Sequence, residues 1–88
     1  MKNDRKSEFL KDWIVSKMSK HDWFNGVKVG IETYRFRNKE VPSYVFYFDT
    51  GGYGVSQEFE DDFDFIFKMF FPRDNDYDPT AVWEFRYV

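Results

Sequence analysis

The segment Glu58 to Phe71, EFEDDFDFIFKMFF, sets five carboxylates and six phenylalanines within fourteen residues, and how it folds decides the architecture of the chain. Read with a period of two, Phe63, Phe65 and Phe67 alternate with Asp62, Asp64 and Ile66, as in a strand. Read with a helical period, Phe59, Phe63, Ile66, Phe67 and Phe70 fall at i, i+4, i+7, i+8 and i+11 and make one continuous face. The helix is the better reading, because its acids then gather at the N-terminal end, where the helix dipole stabilises negative charge. Pro72 stops it, since an interior proline loses a hydrogen bond and clashes with the preceding turn.

Working outward, the stretch from about Ser7 to Ser19 is a second amphipathic helix, with Phe9, Leu10, Trp13, Ile14 and Met18 recurring three to five residues apart. Asn3, Asp4 or Ser7 can cap its start, and Asn25-Gly26 marks its exit region. From Val27 to Arg37 the period drops to two. Val27, Val29, Ile31 and Thr33 share one face, and Lys28, Glu32, Tyr34 and Phe36 the other, which predicts a strand. Asn38-Lys39-Glu40 reads as a turn into a partner strand over Val41 to Asp49, with Pro42 at its start. Thr50-Gly51-Gly52 reads as a second turn, into a short strand from about Tyr53 to Gln57. After a polar loop from Arg73 to Pro79, Thr80 to Val88 is a last strand with Ala81, Trp83, Phe85 and Tyr87 on one face.

The predicted fold class is therefore α+β: helix, three-strand antiparallel meander, helix, C-terminal strand, with both helices packed on one sheet face. At 88 residues the chain is expected to form a single compact domain, residues 1–88. A domain this small buries only roughly 60 to 65 per cent of its unfolded surface, so large side chains must carry its stability. Twelve Phe, six Tyr and three Trp supply them. So many rings exceed what a short chain can enclose, and the surplus is expected at the surface as a contact patch.

Charge is unevenly spread. Residues 1–40 hold ten Lys/Arg against six Asp/Glu, a net of +4; residues 41–88 hold three against ten, a net of −7; together they give −3. An acidic balance disfavours a general nucleic-acid binder and favours a protein partner with a basic surface. The absence of cysteine removes disulfides, Cys-based zinc sites and thiol nucleophiles. No apolar run has the length of a signal peptide or a membrane span, so the expectation is a soluble, cytoplasmic protein without membrane association.

Motifs for catalysis are missing. His21 is the only histidine, too few for a His-based metal site and more suited to a helix-end contact. Asp74-Asn75-Asp76-Tyr77-Asp78 opens like a calcium loop. The sixth position, however, is Pro79 where glycine is required, and the twelfth is Phe85 where a bidentate glutamate is required. Thr50-Gly51-Gly52-Tyr53-Gly54 lacks both phosphate-binding glycine patterns and reads as a turn. The chain is accordingly expected to be no enzyme and to need no cofactor or metal.

Two clusters remain as candidate binding sites. The first is the acid run Glu58, Glu60, Asp61, Asp62 and Asp64, with the adjoining aromatics Tyr53, Phe71 and Tyr77. Carboxylates a helical turn or less apart can imitate the phosphates of a nucleic acid and occupy a basic groove, with salt-sensitive affinity. The second is Tyr34, Arg35, Phe36 and Arg37, expected to face Tyr44, Phe46 and Phe48, where rings and arginines could stack unpaired bases.

In the order of its first five predicted elements the chain resembles the double-stranded RNA-binding domain. That family carries lysines at the start of its second helix to hold phosphates, whereas Glu58, Glu60, Asp61, Asp62 and Asp64 stand there here, so RNA binding does not follow. In size and charge the chain resembles the small inhibitors that phages and mobile elements make against host nucleic-acid enzymes, anti-CRISPR proteins and other DNA mimics among them, and immunity proteins against toxins. That resemblance implies an inhibitor acting through the acid cluster and exposed rings. The alternatives are a structural homodimer, joined by surplus aromatics or edge strands, and a single-strand binder using Arg35 and Arg37.

Overall fold

The computed structural model describes residues 4–73 and 78–88. Two helices and three strands follow in the order α1 (Arg5–Met18), β1 (Gly26–Phe36), β2 (Lys39–Asp49), α2 (Gln57–Phe70) and β3 (Val82–Tyr87). The disputed segment is helical, as its Phe spacing predicts. Ser56 caps it, its hydroxyl accepting from the Phe59 amide at 3.1 Å.

The sheet corrects the expected meander. Its order is β1-β2-β3, with β1 and β2 antiparallel and β2 and β3 parallel, so it is mixed. No strand forms over residues 53–57, because Ser56 and Gln57 open α2 and the Val55 amide donates to the Tyr87 hydroxyl at 3.3 Å. The free edge of β2 is taken by β3, which brings Trp83, Phe85 and Tyr87 onto the same face as Tyr44, Phe46 and Phe48. Five residues bearing Tyr53 and Val55 offer far less apolar surface than three packed rings. With α2 as the crossover, β3 must run parallel to β2.

The first turn also moves. Phe36 pairs with Lys39, leaving Arg37 and Asn38 as a two-residue loop, both at positive φ (50° and 51°). This is the mirror-image turn whose twist suits a hairpin. Gly51 and Gly52 (φ 63° and 100°) turn the chain out of β2 and toward α2 instead of into a further hairpin.

Both helices lie over one face of the sheet, where Leu10, Ile14 and Met18 from α1 and Phe63 and Phe67 from α2 are buried against Val27, Tyr44, Phe46 and Phe48. Phe63 is the hub: its ring centroid lies 5.1 Å from Phe46, 5.0 Å from Trp83, 4.9 Å from Phe85 and 5.9 Å from Trp13. One side chain thus joins α1, β2, β3 and α2. The helices run antiparallel, since Phe9 meets Phe70 and Trp13 meets Phe59.

Among the described residues no helix covers the opposite sheet face, yet Val45 there is fully buried. Arg86 roofs it. From β3 its guanidinium donates to Glu84 at 2.7 and 3.1 Å and reaches across β2 to Glu32 on β1 at 3.2 Å, passing over the Tyr47 ring. The Arg86 hydrogen bond holds the Glu84 carboxyl below its usual range.

Candidate functional site

Of the acid run, α2 turns Glu58, Asp61 and Asp62 to solvent, while Glu60 and Asp64 are half-buried. Asp61 accepts from the Gln57 side chain at 2.9 Å, one helical turn away. Asp64 is committed inward: it accepts from the Trp83 indole N–H at 2.8 Å and pairs with Lys68 at 2.8 Å. Burial works to raise its pKa, but the hydrogen bonds from Lys68 and Trp83 outweigh that and hold it low. Asp64 therefore fastens α2 to β3.

The neighbouring rings divide. Tyr53 is exposed and rests against Trp23, centroid to centroid 5.2 Å, close to the acidic end of α2. Phe71 sits at the other end, half-buried, 4.8 Å from Tyr44 and 4.7 Å from Phe67, with the Lys6 ammonium 4.9 Å from its ring centre. Tyr77 and most of the calcium-like loop lie outside the described residues. Glu58 and Asp62 border a cleft of about 410 Å³ shared with Lys17 and Lys20 from the end of α1. Antiparallel packing so brings the lysines at and just beyond the C-terminal end of α1 to the acidic N-terminal end of α2.

The outward side of α2 also carries what the acid run alone did not suggest. Phe65 and Met69, one turn apart, are each 68 % exposed, and they continue the line of Glu58 and Asp61 along the helix. Phe9 of α1, 52 % exposed, packs on Phe70 at 5.0 Å and carries the apolar surface across the seam between the helices. The signal was present in the sequence: Phe65 and Met69 are the two apolar residues of α2's outer turns that fall off the face formed by Phe59, Phe63, Ile66, Phe67 and Phe70.

The second cluster is not brought together. Tyr44, Phe46 and Phe48 are buried beneath the helices, whereas Tyr34 and Phe36 belong to the other sheet face. Arg35 pairs with Glu40 at 3.6 Å and Arg37 with Asp78 at 3.8 Å. A stacking platform for bases does not result.

Among the described residues no group of three or more His, Asp or Glu side chains is placed to hold a metal ion. No helix among them is long and apolar enough to cross a membrane. Set against protein-family models, curated proteins and solved structures, the chain matches none of them.

Proposed function

We propose that this protein is a small binding module that docks the outward side of α2 onto a protein partner with a basic surface, as an inhibitor of a nucleic-acid-binding enzyme would. One observation carries the reading: Phe65 and Met69 stand exposed beside Glu58, Asp61 and Asp62 on a single helix. Monomeric domains rarely leave large apolar side chains in water beside each other without a use for them. Apolar anchors ringed by charge are the usual anatomy of a docking surface, with the anchors supplying affinity and the acids steering and register.

The test is affinity capture from nuclease-treated lysate of the cells that make the protein, run in parallel with the wild type, a Phe65→Ser/Met69→Ser variant and a Glu58→Gln/Asp61→Asn/Asp62→Asn variant. A basic partner held by the wild type, released by salt and lost by both variants supports the proposal. The same partner held equally by all three chains sinks it.

A further inference from the structure

β1 is eleven residues long, lies at the edge of the sheet and, among the described residues, pairs only with β2, so that no other described strand takes its outer row of backbone N–H and C=O groups. It contains no proline, and Ile31 and Tyr34 stand 39 % and 46 % exposed on it. An edge of that length is a template for another strand, and the charges that would keep one off, Lys28 and Glu32, are of opposite sign.

We propose that this edge is a self-association surface, on which two copies pair antiparallel about a twofold axis through Gly30 and join their sheets into one of six strands. The argument is charge register. A twofold axis normal to the sheet keeps the helix layers of both copies on one side, so residues that come opposite each other must share a face. The axis must then pass through a residue and not between two.

With the axis at Gly30, Lys28 stands opposite Glu32 of the second copy, and Glu32 opposite its Lys28. Val29 meets Ile31, and Val27 meets Thr33. Charge thus meets charge at two places on the roofed face and apolar meets apolar or β-branched on the helix face, with Gly26 opposite Tyr34 beyond them. Moving the axis to Val29 sets Lys28 against Gly30, and moving it to Ile31 sets Lys28 against Tyr34 and Glu32 against Gly30; both lose the charge pairs. Glu32 already accepts from Arg86 and from the Tyr47 hydroxyl at 3.2 Å, so its position on the sheet is fixed before the partner arrives. Lys28 is exposed, and its ammonium is the complementary group. Only a strand's width is buried, so the dimer is weak and depends on concentration.

The surface is separate from α2, so its test is independent of the docking proposal. Sedimentation velocity of the wild type over a wide concentration range should move from the 10.8 kDa chain toward twice that mass. Lys28→Glu and Glu32→Lys each turn both charge pairs repulsive and should weaken association by about tenfold or more. Mixed with each other, the two variants restore both pairs and should associate as a heterodimer. A wild type that stays monomeric throughout, an association indifferent to Lys28→Glu, or folded variants that do not associate when mixed would each overturn the proposal. Should Glu32→Lys fail to fold, amide hydrogen exchange of the wild type answers the same question: protection along β1 must rise with protein concentration, and unchanged exchange overturns the pairing.

Discussion

The Tyr44 hydroxyl, on the central strand, donates at 2.5 Å to the Asp4 carboxylate forty residues earlier, the same carboxylate that accepts the Lys6 and Ser7 amides as the cap of α1. One side chain therefore starts the first helix and fixes it to the sheet. Tyr44→Phe leaves the cap but cuts the tie, and is expected to cost about 1–2 kcal/mol in urea unfolding. Asp4→Ala removes both and should cost at least as much, roughly 2 kcal/mol.

The same contact sets a pH dependence. Burial acts to raise the Asp4 pKa, but the hydrogen bonds from Tyr44, Ser7 and Lys6 together outweigh it, so the folded value is depressed. The stability it contributes is present above the ordinary Asp pKa of about 3.9 and is lost as pH falls through that value toward the lower folded one. The gap between wild type and Asp4→Asn should accordingly be full at neutral pH and close in acid. At the alkaline end the sign reverses. Burial and the Asp4 carboxylate raise the Tyr44 pKa, so its contribution holds below about pH 10 and fades above it, and Tyr44→Phe should flatten that limb of the stability profile.

Phe63 and Phe65 share a helix and differ in everything else. Phe63→Ala opens a void among five other rings and should cost about 3–5 kcal/mol, enough to unfold a domain of this size on warming. Phe65→Ser should leave the thermal midpoint within the small range of surface changes, about 0.5 kcal/mol, while removing partner binding.

Asp61 and Asp64 separate in the same way. Asp64→Asn loses the Lys68 pair but keeps an acceptor for the Trp83 indole, so a modest destabilisation of about 0.5–1 kcal/mol with unchanged partner affinity is expected. Asp61→Asn should reverse the pattern: stability intact, affinity and its salt dependence reduced. Calorimetric melting beside a binding titration reads both.

Arg37 and Asn38 both hold positive φ in the hairpin loop, a conformation that suits Asn followed by Gly. The double change Arg37→Asn/Asn38→Gly should stabilise the fold by about 1 kcal/mol, a rise of about 4–8 °C in melting temperature for a chain of this length. The change also takes the Arg37 guanidinium away from the half-buried Asp78, whose Oδ1 has no hydrogen-bond partner among the described residues, and this loss offsets part of the gain.

Local pattern was enough to place both helices and the β1–β2 hairpin, since each depends on the spacing of residues such as Leu10 and Ile14, but it set Tyr34 and Phe36 against Tyr44, Phe46 and Phe48, where the structure puts Val29 and Ile31. What escaped it was competition. Tyr53 to Gln57 has an acceptable strand pattern, but Ser56 is a better helix cap, and the place beside β2 goes to a segment more than thirty residues further on. The candidate site shows the same limit. Acidity along α2 is plain in the sequence, but that Asp64 turns inward to Trp83 depends on a contact between elements that no local window contains.

The place of β3 has a consequence for synthesis. Until Trp83, Phe85 and Tyr87 have been translated, Phe46, Phe48 and Phe63 lack the rings they pack on, and the growing chain carries the β1–β2 hairpin with both of its edges open. Parallel pairing across a long crossover is slow to form. Between the completion of β2 and the arrival of β3 the growing chain is thus an aromatic-rich hairpin without its third strand, a stage at which unpaired edges and uncovered rings favour aggregation.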